Sequence, residues 1–307
     1  MRHASAFSLA LALLDAGRCA QQPPAEECQD LLERGRRAYD SRRFEAAIGD
    51  FEVALRSCPQ RSQVLLALGE AQLMAGRFDA SMESLRQAIK REPANVMAHK
   101  VLGDALYLAG KDVEAEQPLQ AALALNPKFE PALYALGRIY YQQNRFPEAV
   151  TQFQKIIDLD PKNYRAYDNL GLCYDALQRD NEALRNFLKA LELVHKDHPE
   201  YDWAHANLAD FFLKRNMYEK AFQLAAEAAQ RNPQSARDCF LTAKALIGLD
   251  KHEFSVRWLE RAVQLDPGYR EAHYLLARTY QKLGRKQDAD KEFERFRVLN
   301  EKPASHR

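Results

Sequence analysis

Net charge is almost absent from this 307-residue chain, in which 44 lysines and arginines face 43 acidic residues, a formal charge of +1. Without a cationic excess there is no global electrostatic argument for nucleic acid, whose phosphates are gripped by clustered positive charge. Also missing are a phosphate-cradling glycine loop, a nucleophile elbow and a paired-histidine zinc-protease helix. No motif therefore asks for catalysis, a metal or a cofactor, and the chain is read as a non-enzyme. Disorder is excluded by what is present, 47% apolar residues with 28% charged, enough to bury a large core.

Glycine (12) and proline (13) are few, and their spacing says more than their number. Prolines stand at 59, 93, 127 and 161, each 34 residues after the last, and return at 233 and 267 after a step of 72, two periods plus four residues. Gly35, Gly69, Gly103, Gly137 and Gly171 keep the same step, and Ala209, Ala243 and Ala277 then take that place. A third register holds the small residues Ala47, Ser81, Ala115, Ala149, Ala183, Ala221, Ser255 and Ala289. The fourth runs through Phe51, Leu85, Leu119, Phe153, Phe187, Ala225, Leu259 and Phe293. A period in this range is resolved before any other reading of the fold.

Within one period two amphipathic helices follow each other. Over 131–143 the apolar residues Leu133, Leu136 and Tyr140 recur at three and four, which is a helical stripe. Asn144 and Arg145 interrupt it, and Phe146 to Leu159 resumes with Ala149, Val150, Phe153, Ile156 and Ile157 on one side. Pro147 suits a first helical turn, and Asp160-Pro161 ends the helix, because the residue before proline is pushed out of helical geometry. So short a hairpin cannot cover its own apolar face, and the units must stack.

Leu133, Leu136, Gly137, Tyr140, Ala149, Phe153, Ile156 and Pro161 resemble the pattern of the tetratricopeptide repeat family. The resemblance implies an all-α fold, a right-handed α-solenoid superhelix of about eight hairpins spanning 28–300, with units starting near 28, 62, 96, 130, 164, 202, 236 and 270 and a tail at 301–307. It further implies a concave wall made by the first helix of each unit. Transferred to this chain, the wall-facing positions are Lys100, Asp104 and Tyr107, then Tyr134, Arg138 and Tyr141, then Arg165, Asp168 and Asn169, then Trp203, Asn207 and Asp210. Tyrosine, tryptophan and arginine are the types that most often dominate interfaces. Some relatives hold a terminal carboxylate with a repeated lysine and asparagine set; here Asp104 follows Lys100 where asparagine is required, and the full clamp is not found. Asn169 and Asn207 resemble two rungs of the asparagine ladder with which other relatives hold peptide backbone.

Three segments depart from the period. Residues 1–25 combine a basic start with the apolar run ASAFSLALALL, of signal-peptide length and too short to span a bilayer as a helix. Export to the periplasm or the extracellular space is expected, with a frayed leader on a cytoplasmic protein as the alternative. His195 to Tyr201 carries the four extra residues and is expected to be a longer inter-repeat loop; its histidines and acids lack zinc spacing. Beyond Phe296 the tail is expected to fray. Cys28 opens the first hairpin and Cys58 closes it, and antiparallel pairing brings those ends together, so a disulfide is expected there. Cys173 and Cys239 read as buried thiols, and His99, His205 and His273 as helix-packing residues.

The function expected from these residues is non-catalytic: a scaffold or adaptor holding a peptide or extended protein segment in the concave groove. The alternative is a structural subunit of an envelope-associated or oligomeric assembly, using its convex face and terminal repeat, with self-association left open. The partner is a protein in either case.

Overall fold

The structure, a computed structural model, describes residues 25–58, 61–198 and 201–301, so residues 1–24 of the leader fall outside it. Among the described residues sixteen helices follow one another as pairs. They are α1 (Ala25–Asp40) with α2 (Phe44–Ser57), α3 (Arg61–Met74) with α4 (Phe78–Arg91), and α5 (Val96–Leu108) with α6 (Asp112–Leu125). Next come α7 (Glu130–Gln142) with α8 (Phe146–Leu159), α9 (Tyr164–Ala176) with α10 (Asp180–Asp197), and α11 (Trp203–Lys214) with α12 (Tyr218–Arg231). The series ends with α13 (Ala236–Gly248) and α14 (His252–Leu265), then α15 (Arg270–Lys282) and α16 (Lys286–Glu301). Eight helical hairpins result.

Each hairpin is closed by one residue in the left-handed region: Arg42, Gly76, Gly110, Asn144, Gln178, Asn216, Asp250 and Gly284. At Gly76 the flanking amides complete a Schellman cap, Arg77 N–H donating to Gln72 O at 2.8 Å and Gly76 N–H to Leu73 O at 3.0 Å, which satisfies carbonyls the helix end would leave bare. The same bonds recur at Asn144 and Arg145. After the second helix the side chains of Asn126, Asp160, Asn232 and Asp266 accept from the amide two residues on. These Asx turns reverse the chain at the proline register.

The third register is buried from Ala47 to Ala289, and the fourth from Phe51 to Leu259. Phe293, in the last helix, is half-buried. The glycine register exists to admit the fourth: a Cβ on Gly137 would stand 2.7 Å from Phe153 Cζ, and one on Gly171 2.5 Å from Phe187 Cδ1. In the sixth hairpin both partners are alanine, Ala209 and Ala225, and the space is filled by Phe211 and Phe212 in the same cluster, Phe211 meeting Phe187 edge-on at 5.7 Å. Burying each such ring contributes roughly 1.5 to 3 kcal/mol.

The helices form two compact units divided within α5, between Ala105 and Leu106. In the first, Cys28, Leu31, Phe51, Cys58 and Leu68 share one cluster, and the Cys28 and Cys58 sulfurs are bonded, with Cα atoms 5.3 Å apart. In the second, the break in the period takes an unexpected form. The four extra residues do not make a loop but add one turn to α10, which has 18 residues where α8 has 14. Its apolar stripe continues to Val194, fully buried, and His195 stands where Pro93, Pro127 and Pro161 follow α4, α6 and α8. The tail also differs from expectation: α16 runs to Glu301, where Arg297 pairs with Glu294 at 2.7 Å and Glu301 at 3.5 Å across its last turns.

Candidate protein-binding wall

The wall residues of the first unit are already paired with one another. Lys100 Nζ lies 2.5 Å from Asp104 Oδ2, one helical turn apart on α5. Nearby on α3, burial raises the Glu70 carboxyl above its ordinary value against the pull of Lys100 and Arg36. Neither Glu70 nor the half-buried Tyr39, whose hydroxyl burial also raises, belonged to the expected set.

In the second unit the first helices present a graded face. Arg138 lies over the Tyr107 ring at 5.5 Å and donates to its hydroxyl at 3.4 Å. Tyr134 packs edge-on against Phe153 at 5.8 Å, and its hydroxyl accepts from Asn169 Nδ2 at 3.3 Å. Tyr141 meets Phe146 edge-on at 5.4 Å; burial raises its hydroxyl, beside Cys173, Lys214, Asp175 and Asp210. Arg165 reaches over Tyr164. Lys214 bridges Asp175 at 2.8 Å and Asp210 at 3.0 Å, and Arg215 holds Asp175 at 2.9 Å. Trp203 stands out, 53% exposed, with the Arg237 guanidinium 4.8 Å from its ring.

Two members of the expected set lie beneath that surface. Asp168 is 1% exposed and Asn207 4%, so neither the wall position Asp168 nor the ladder position Asn207 is open to a peptide. Asp168 Oδ2 accepts from Tyr201 at 2.9 Å and from Asn207 Nδ2 at 2.8 Å, while Asn207 Oδ1 accepts from Arg237 at 2.7 Å. Burial pushes the Asp168 carboxyl up to about 6, against those two hydrogen bonds and the Arg237 charge. Its Oδ1 has no hydrogen-bond partner, and the same is true of Asp238 Oδ2. Burial and the neighbouring Asp202 raise Asp238 as well, and Asp202 Oδ2 in turn accepts from Asn232 at 2.9 Å. Arg237 was missed although it occupies in the seventh hairpin the place Trp203 holds in the sixth; carrying the same face one unit further finds it.

These groups do not assemble a catalytic relay. Burial pushes the Cys173 thiol up to about 12 and raises Cys239 too, so neither supplies a thiolate near neutrality. The histidines of one register diverge. His99 and His273 brace their turns through Nε2 to the carbonyls of Pro93 at 2.9 Å and Pro267 at 3.2 Å. His205 instead turns Nε2 to Glu227 Oε1 at 3.2 Å; burial lowers it to about 4, which keeps the ring neutral. Of the residues singled out near the break, His198 stacks on Tyr164 at 4.4 Å, Glu200 and the side chain of Asp197 lie outside the described residues, and His195 comes within 4.8 Å of His205 and Glu227.

Sixteen helices in hairpins, with a mixed aromatic and charged wall and buried thiols, define a helical-repeat protein of the kind that makes protein contacts without catalysis. Family models described as TPR repeat and tetratricopeptide repeat match residues 137–178, 32–88 with 72–128, and 164–193 with 271–296, together more than half of the chain. It belongs to the tetratricopeptide repeat family. A tetratricopeptide repeat protein from Parabacteroides merdae ATCC 43184 superposes with a TM-score of 0.69 at 19% identity, over 83% of this chain and 99% of that one. Yeast Tom70 gives 0.66 at 19%, over 96% and 64%. A structure of MamA reaches 30% identity with a TM-score of 0.50, over 53% of this chain and 95% of its own. No curated protein shows significant similarity to the chain.

Proposed function

We propose that this protein is a scaffold that holds an extended protein segment against the first-helix wall between Tyr107 and Arg237. The observation that supports it above all is Trp203, half-exposed with a guanidinium beside its ring, an anchor of the type that dominates interfaces. Tyr107 with Arg138 and Tyr134 with Asn169 are held by neighbours before any partner arrives, so less side-chain freedom is lost on binding. The reading includes export, supported by the leader composition and by the Cys28–Cys58 bond, since structural disulfides persist outside reducing cytosol.

A second reading, a subunit of an oligomeric or envelope-associated assembly, is favoured by a different observation. On the last hairpin Tyr274 and Val298 are exposed, Tyr274 packs on Phe296 at 5.2 Å, and Ala289 is the buried residue of α16. One experiment separates the two: native pull-down and sizing of the wild type beside W203A/R138A and beside F296S/V298S. Loss of partners from the wall variant at unchanged helicity supports the segment-binding reading. A wall variant that keeps every partner, with assembly lost in the α16 variant, refutes it in favour of the second.

A further inference from the structure

We propose that His195, His205 and Glu227 form a site for a divalent transition metal of the zinc class, occupied in the metal-free chain by the guanidinium of Arg231. One donor atom from each of the three lies within 4.8 Å of the other two. His205 Nε2 and Glu227 Oε1 are 3.2 Å apart, close to the roughly 3.3 Å that separates ligands on a tetrahedral ion with bonds of about 2.0 to 2.1 Å. Two imidazoles and a carboxylate are donors that zinc takes, with the fourth position left to water or to a partner's side chain.

The site follows from the break in the repeat. The extra turn of α10 carries His195 to the side of α12, where Glu227 and Arg231 sit one turn apart. His205 comes from α11, so the three donors tie together three helices at the one place where the period fails. Arg231 marks the position of the ion: its Nη2 is 2.9 Å from Glu227 Oε1 and 3.3 Å from His195 Nδ1, a resident cation between two ligands. His195 is exposed, which gives a metal ion its way in and lets the arginine swing out. Contact between histidine and carboxylate is not enough for this assignment. His273 and Glu292 approach to 2.6 Å and His252 and Asp250 to 2.9 Å, and neither pair belongs to a three-donor group among the described residues.

The test uses the full chain without an affinity tag and Co(II) as probe, read by its visible d–d absorption and then displaced with Zn(II). Saturable one-to-one binding, an intense low-coordinate band and its loss on zinc addition are expected. H195A, altered at an exposed side chain, should weaken binding by at least about tenfold. R231Q should tighten it, because the competing cation is gone. Zinc at one concentration should raise the Tm of the wild type by more than that of H195A. No saturable Co(II) binding, an affinity unchanged in H195A, or weaker binding by R231Q would each overturn the proposal, the last by making Arg231 a partner of the ligands and not a stand-in for the metal.

Discussion

The hairpins before Tyr164 and those after it are built on one spacing but differ in what they bury. Among the described residues through α8 the buried polar side chains are Gln72, Ser81 and Ser84, all neutral; from α9 onward they include Asp168, Asp202, His205, Asn207, Asp238 and His273. In the regular stretch, shape largely fixes how helices meet: glycine against phenylalanine or leucine at Gly35, Gly69 and Gly137. Apolar contact is non-directional, so an alternative register need only fit. Where four residues are inserted and Ala209 meets Ala225, shape discriminates less, and hydrogen bonds between named partners take over. Buried polar groups penalise any arrangement that separates them, which is how they specify a register at a cost in stability.

The strongest test of this contrast exchanges one pair for the other. Phe153→Ala should cost about 3 to 5 kcal/mol, because the ring is fully buried and leaves a cavity. Gly137→Ala should cost about 1 to 3 kcal/mol by driving a methyl into that ring. The double variant copies the Ala209–Ala225 pair, and its cost should fall below the sum by at least about 1 kcal/mol, since with the ring gone the new alanine gains its helix propensity. Denaturant unfolding of all four proteins closes the cycle; strict additivity would show that the glycine and the ring are not one packing unit.

How much of this was legible in the sequence varies with the physics behind each feature. Proline, glycine and small-residue registers were readable because each position tolerates few residue types. The left-handed register at 42, 76, 110, 144, 178, 216, 250 and 284 is as regular, yet it stayed hidden. Glycine holds three of its places and Arg, Asn, Gln or Asp the rest, since the penalty of roughly 1 to 2 kcal/mol per residue can be borne by the cap it completes. The insertion was misread as a loop because absence of a proline says only that the helix need not stop; Val194, buried by its neighbours, decides that it continues. Wall residues were located by face but not by depth. Asp168 and Asn207 point the right way and are covered by Tyr201 and Arg237, and that cover comes from residues thirty or more positions on.

The two ends of the described chain sharpen the comparison by a second, somewhat smaller effect. The first hairpin is closed by Cys28–Cys58, whereas α16 is held by surface ion pairs such as Arg297–Glu294, which water and salt screen. Loop-closure entropy for a separation of 30 residues gives roughly 3 to 4 kcal/mol to the first hairpin. In C28S/C58S, amide hydrogen exchange in α1 and α2 should accelerate by about two orders of magnitude or more, the equivalent of that free energy. Exchange in α16 should stay as it was. An unchanged α1 would mean that apolar packing by Leu31, Phe51 and Leu68 already holds the hairpin without its covalent link.

The smallest of the three effects is also the one that reads the polar region most directly. With its folded carboxyl near pH 6 and an unfolded value near 3.8, Asp168 retains a proton in the folded chain that the unfolded chain has lost. The protonated form therefore stabilises most below about pH 4, and that contribution falls as pH rises toward 6 and is flat above it. A shift of two units corresponds to about 3 kcal/mol. Asp168→Asn holds the site neutral at every pH, so the stability difference between wild type and variant, read from urea midpoints at steps between pH 4 and 8, should slope against the wild type by about 2 to 3 kcal/mol and level off near pH 6. Asp238, raised in the same direction, titrates in both proteins and cancels in the difference. A level difference across the range would mean that Arg237 keeps Asp168 ionised throughout. The polar cluster would then hold the register as a buried ion pair bridged by Asn207, and not as a neutral hydrogen-bonded network.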